Sequence, residues 1–130
     1  MTQGTPEYTA TLRDIDAIAI QLKKLQANNI PILWRPLHEA GGKWFWWGAK
    51  GSAPCKALYN ILYDRITNYH RINNLIWSWS SPEPDWYPGN NMVDTIGYDS
   101  YPGNNNYICQ DQIFNQLNQI VLGKKMIQMT

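Results

Sequence analysis

Two hydrophobic periods alternate along this chain, and that alternation leaves few folds open to it. From Thr9 to Ala27, apolar residues stand at Leu12, Ile15, Ile18, Ala19, Leu22 and Leu25, steps of three and four that predict one face of a helix. Thr11 followed by Asp14 is a helix-start signal, and Asn28-Asn29 is a stop. The next apolar run, Ile30 to Trp34, is too short for a helix and ends in Arg35-Pro36, which predicts a buried strand. A Gly- and Trp-rich loop follows from Glu39 to Pro54, then a second helix marked by Leu58, Ile61, Leu62, Ile66 and Tyr69. Leu75–Trp79 reads as a second strand, and a loop with Pro82, Pro84, Pro88 and Gly89 leads to a third at Val93–Tyr98. Ile113, Leu117, Ile120 and Val121 mark a third helix that Gly123 ends, and Lys125 to Met129 opens a fourth strand.

Strands alternating with helices predict βαβ units and a parallel sheet, hence an α/β fold. The long, polar, aromatic loops all follow strands, which is where a (β/α)₈ barrel builds its active site. A complete barrel needs about 250 residues. The expected fold is therefore a partial (β/α)₈ TIM barrel, about half of a full catalytic domain, running over residues 1–130 and truncated at both ends. The rival, a small doubly wound sheet, is disfavoured because no Gly-rich phosphate loop follows any strand.

Charge narrows the partners. Eleven basic and ten acidic residues give a formal net charge of +1, with no footprint for nucleic acid or an anionic membrane surface. No apolar run approaches the roughly 18 residues of a membrane span. The N-terminus carries no charged-then-apolar signal peptide. A neutral ligand fits better, and the aromatic content suggests which. Seven Trp and eight Tyr stand against two Phe. Flat rings with a polar tip suit a sugar, whose C–H faces stack while its hydroxyls hydrogen-bond, although a Trp-rich core is the equal alternative at this level. Cys55 and Cys109 show no paired spacing and no nearby His cluster, so neither a metal nor any other cofactor is expected; the two thiols either pair or stay free.

The first strand ends Trp34-Arg-Pro-Leu-His-Glu39, setting a carboxylic acid beside Arg35 and His38 at a strand's C-terminal end. Barrel enzymes place catalytic groups there, and glycoside hydrolysis needs two carboxyl groups flanking the scissile bond. Gly41-Gly42 and the aromatic run Trp44-Phe-Trp-Trp47 follow at once. Loops run over the surface, so four rings in one loop are hard to bury; two are expected to plug the loop and the others to face a ligand. Trp77 and Trp79 at the second strand, and Asp99 and Tyr101 at the end of the third, extend the same rim. In isolation, Asp99 reads more simply as the cap of a turn before Pro102-Gly103.

Four segments then make a specific pattern. Trp34-Arg-Pro-Leu-His-Glu39, Trp44-Phe-Trp-Trp-Gly48, Asp85-Trp-Tyr-Pro-Gly89 and Asp94-Thr-Ile-Gly-Tyr-Asp-Ser-Tyr101, in this order, resemble glycoside hydrolase family 26, best known for endo-β-1,4-mannanases. The resemblance implies a retaining barrel enzyme acting on β-mannan, with the strands here corresponding to strands four to seven. Carried over by position, Glu39 is the general acid/base, and Arg35 helps keep the nucleophile ionised. His38 lies beside the nucleophile and the reacting sugar. Trp44 stacks on sugar next to the cleavage point, and Asp99 and Tyr101 contact the reacting sugar and the nucleophile. The nucleophilic Glu would fall just after Thr130, which leaves the segment alone unable to complete double displacement. The family also implies an extracellular enzyme, with an accessory carbohydrate-binding or docking module possible in the intact protein. The rival readings are a related barrel hydrolase acting on mixed-linkage β-glucan or xylan, and a non-catalytic carbohydrate-binding domain.

Overall fold

The computed structural model describes residues 2–101, 103, 104, 111–120 and 125–129, the last five as backbone. Helix α1 runs Pro6–Ala27, strand β1 Ile32–Trp34, helix α2 Ser52–Tyr63, strand β2 Leu75–Trp79, strand β3 Thr95–Asp99, helix α3 Asp111–Ile120 and strand β4 Lys125–Met129. Val121, Gly123 and Cys109 lie outside the described residues.

Helix α1 begins five residues before the Thr11 signal. Thr5 is its N-cap, accepting the Tyr8 N–H on Oγ1 at 3.3 Å, and Pro6 takes the first helical position. Pro is preorganised there, because that position needs no N–H. The Thr11 hydroxyl bonds back to the Glu7 carbonyl at 2.9 Å, as a mid-helix Thr does. The buried stripe is narrower than the periodicity predicts: Ile15, Ala19 and Leu22 are buried, while Ile18 and Leu25 lie on an open flank. Helix α2 likewise starts before its expected boundary, at Ser52, with Pro54 inside its first turn, where the N–H groups have no intrahelical partner to lose. It continues into a wider π-type turn over Asp64–Tyr69. Arg65 and His70 fasten that stretch to α1: Arg65 gives Asp16 two bonds of 2.8 Å, and His70 Nε2 lies 2.7 Å from the same carboxylate.

The four strands form one parallel sheet in the order β1-β2-β3-β4. Ile32 pairs with Leu75, Trp34 with Trp77, Trp79 with Ile96, and Asp99 with Met129. A doubly wound sheet reverses its strand order at a switch point; strands laid down strictly in sequence are the barrel arrangement. Successive side chains on a strand point to opposite faces, and here the two faces differ sharply. Trp77, Trp79 and Ile96 point to the helices, where Tyr59 of α2 meets both indoles edge-on at 5.7 and 5.5 Å. This corrects the expectation that Trp77 and Trp79 belong to a sugar-binding rim: they are 4% and 0% exposed and form the core. The opposite face carries Leu33 and Ile76, then Ser78 and Thr95, with Gly97 and Asp99 toward the C-terminal end.

Candidate active site

The C-terminal ends of β1, β2 and β3 converge on one cleft. After Trp34 the chain passes Arg35 and then turns sharply, with Leu37 at φ 52° and Glu39 at φ 51°. Both residues are in the left-handed region, which non-glycine residues seldom occupy and which recurs at functional sites. A single 3₁₀ turn over Ala40–Gly42 follows, closed by the Gly42 N–H on the Glu39 carbonyl at 3.1 Å. The turn is docked onto the end of β2, because the Gly41 N–H donates to Ser81 Oγ at 3.1 Å.

This turn sets the Glu39 carboxylate on the wall of a cleft of about 310 Å³, shared with Trp44, Ser80, Glu83, Asp99 and Tyr101 among others. Two side chains donate to Glu39. The Trp44 indole N–H reaches Oε2 at 3.2 Å, and the Tyr101 hydroxyl reaches Oε1 at 3.2 Å. The bond to Glu39, and then its negative charge, raise the Tyr101 pKa above the usual tyrosine value, so the hydroxyl keeps its proton. Arg35 Nη1 spans both oxygens of Asp99 at 2.8 and 2.7 Å and reaches Ser80 Oγ at 3.4 Å. A charge-assisted pair of this length fixes both partners.

Four of the six residues singled out by sequence therefore line the cleft: Glu39, Trp44, Asp99 and Tyr101. Arg35 joins them through Asp99. His38 sits behind, its ring centroid 4.7 Å from Phe45 and 5.4 Å from Trp47, and its carbonyl accepts the Trp47 indole N–H at 3.0 Å. The aromatic loop divides as expected. Phe45 and Trp47 stack at 4.4 Å, while Trp44 and Trp46 are 67% and 68% exposed. Gly42 allows the Trp44 ring to fold back over its own turn, since a Cβ at that position would come within 2.0 Å of the ring.

Residues 2–130 match the sequence profile of glycosyl hydrolase family 26. The chain belongs to that family. Among similar proteins, a mannan endo-1,4-beta-mannosidase of Thermothelomyces thermophilus is 57% identical over 92% of this chain, and a mannan endo-1,4-beta-mannosidase B of Piromyces is 44% identical over 98%. The chain spans 24% and 22% of the lengths of those two proteins. A solved β-mannanase from a symbiotic protist of the termite Reticulitermes speratus, complexed with gluco-manno-oligosaccharide, superposes with a TM-score of 0.93 at 42% identity over 98% of this chain. A Podospora anserina GH26-CBM35 β-(1,4)-mannanase does so with 0.90 at 48% identity over 97%. This chain covers 41% and 28% of those two molecules, so its fold is part of the family 26 TIM barrel.

Sequence reasoning missed two serines of this cleft, Ser80 and Ser81. Serine is too common to stand out, and the two indoles of Trp77 and Trp79 drew the attention at β2. Strand parity was the available signal. If Trp77 and Trp79 face the helices, residues Ser78 and Ser80 must face the other way.

Proposed function

We propose that this segment is the acid/base portion of the barrel of a secreted, retaining endo-β-1,4-mannanase, cleaving internal bonds of mannan, glucomannan or galactomannan. Glu39 is the general acid/base, and the nucleophilic Glu lies just beyond Thr130. In the first half-reaction Glu39 protonates the departing glycosidic oxygen while the nucleophile bonds to the anomeric carbon. In the second, Glu39 takes a proton from the water that releases the sugar. A retaining pair holds its carboxyl groups about 5–5.5 Å apart.

The observation that carries this reading is Glu39 itself. Its carboxylate lies at the C-terminal end of β1, on a cleft wall, with the exposed Trp44 ring beside it. Asp99, fixed by Arg35, supplies an acceptor for sugar hydroxyls on the same cleft. Support for mannan comes from the printed names of the relatives and from the gluco-manno-oligosaccharide in the termite-symbiont complex. A polymeric substrate fits secretion, and the Podospora protein supports an accessory carbohydrate-binding module. The segment by itself, without the nucleophile, is expected to be inactive.

The test is reducing-sugar release from mannan, glucomannan and barley β-glucan by the complete protein that carries this segment. Release from the two mannans is expected, falling by about 10²–10⁴-fold in Glu39→Ala. Undiminished turnover by that variant would overturn the acid/base assignment, and release from β-glucan alone would overturn the substrate.

A further inference from the structure

Gly41 and Gly42 each leave room for a different group. A Cβ on Gly41 would run into the Glu83 carboxylate, and one on Gly42 into the Trp44 ring. Two missing side chains thus let a carboxylate and an indole lie against consecutive residues of the 3₁₀ turn that follows Glu39, and both line the cleft. Glu83 stands in the loop after β2, a strand flanked by β1 and β3 within this segment. Its carboxylate is short of donors. Oε2 is buried without a hydrogen-bond partner among the described residues, and no described cation pairs with it. The turn it lies against has none to spare: the Gly41 N–H goes to Ser81 Oγ, the Gly42 N–H to the Glu39 carbonyl and the Lys43 N–H to the Ala40 carbonyl. Arg35 is committed to Asp99 and Ser80. A carboxylate can only accept, and a partly buried one without donors is costly. Rotation about the last bond of Glu is soft, so either oxygen can turn to the cleft.

We propose that Glu83 is a specificity-determining residue for the leaving-group sugar, accepting a hydrogen bond from a hydroxyl of the ring that rests on Trp44. The inference rests on the mannanase reading of this cleft, in which the reacting sugar lies toward Asp99 and the nucleophile. An acid/base acts on the oxygen between two sugars, so the sugar on the other side of Glu39, against the turn, is the one that leaves. Trp44 is on that side, its indole nitrogen 3.2 Å from Glu39. An exposed indole takes the C–H face of a sugar, and an acceptor beside it takes a hydroxyl. A hydroxyl brought to a carboxylate that lacks donors gains more than one brought to a saturated group.

The test compares two leaving groups in the complete enzyme. Mannopentaose places a sugar on the leaving side; 2,4-dinitrophenyl β-mannobioside places an aryl group there, with no hydroxyl to donate. For both, kcat/KM reports the first half-reaction, so the quantity read is kcat/KM on mannopentaose divided by kcat/KM on the aryl glycoside. Glu83→Gln keeps the volume over Gly41 without the charge, and Glu83→Ala removes both. The ratio is expected to fall about tenfold or more in Glu83→Ala and about threefold or more in Glu83→Gln. A purely structural role, in which Glu83 only props the turn behind Glu39, slows both substrates together. A ratio that stays at the parent value therefore overturns the inference, whether both rates fall or neither does. A raised ratio overturns it as well, because it puts Glu83 on the side of the reacting sugar. Should Glu83→Ala fail to fold, the near-isosteric Glu83→Gln decides alone. Glu39→Ala separates the two levels. Parent-like turnover of mannopentaose by that variant removes the acid/base reading itself; its loss, with the ratio unmoved in the Glu83 variants, removes only the role of Glu83.

Discussion

Glu39 holds its carboxylate in place by spending backbone energy: left-handed φ and ψ of 51° and 34° cost a non-glycine residue of order 1–2 kcal/mol. Leu37 repeats the conformation two residues earlier at φ 52°. The surrounding contacts over-determine the turn, through Ser81 on the Gly41 N–H and through the stacked Phe45 and Trp47 beneath. Another residue shows the reverse, a reactive group silenced by its surroundings. Cys55 is a free thiol, 1% exposed, and burial pushes its pKa up to about 11. Since the thiolate is the nucleophile, Cys55 should resist thiol reagents in the native protein at pH 8 and react fully in guanidinium chloride. Peptide mapping that finds Cys55 labelled at native-state rates comparable to a free thiol would contradict this.

At the scale of elements, the joint between α1 and the π-type turn is electrostatic as well as apolar. Asp16 is lowered from 3.8 to about 2, first by the Arg65 hydrogen bonds and then, against the opposing effect of burial, by His70. A folded-state pKa below the unfolded one means that Asp16 adds stability above about pH 4 and loses it as the pH falls toward 2. The pair is partly solvated, so the contribution is at most about 1 kcal/mol. Asp16→Asn should therefore lower the melting temperature at pH 7 by a few degrees, with the gap to the parent closing between pH 4 and 2. A gap that stays constant over that range would assign the effect to packing. The elements themselves were largely legible in the sequence, because short apolar runs between turn residues and long runs at helical spacing leave little ambiguity. What was not legible is informative. The start of α1 was hidden because Thr11 and Asp14 imitate a cap, while Thr5-Pro6 makes the real one. Trp77 and Trp79 were assigned to the wrong face, since a strand's alternation defines two faces without saying which one the helices cover. At the cleft, Glu39, Trp44, Asp99 and Tyr101 were legible because each ends or follows a strand and falls in a segment that resembles family 26. The serines that receive Gly41 and Arg35 carry no such mark.

For the molecule as a whole, the sheet is finished on one side only. The helix-facing side is closed by Ile15, Tyr59, Trp79 and Ile96, whereas Leu33 and Ile76 on the other side remain 49% and 42% exposed. Parallel sheets are almost always covered on both faces. Strands β1 and β4 also bound the four-stranded sheet as parallel edges, which invite further pairing. Residues 1–130 should therefore bind a hydrophobic dye and self-associate with concentration. A dye-free monomer by light scattering would mean that this face is closed within residues 1–130.

The contact between Gly42 and Trp44 has a directional result. The indole lies against its own backbone on one side, where even a methyl group would not fit, and is open to solvent on the other. A flat ring seated in that way offers a single usable surface. Under the proposed function, a sugar would stack on it from one side only, the side open to solvent. Which face of the ring a ligand can reach is thus set two residues away from the ring itself, by a side chain that was never added.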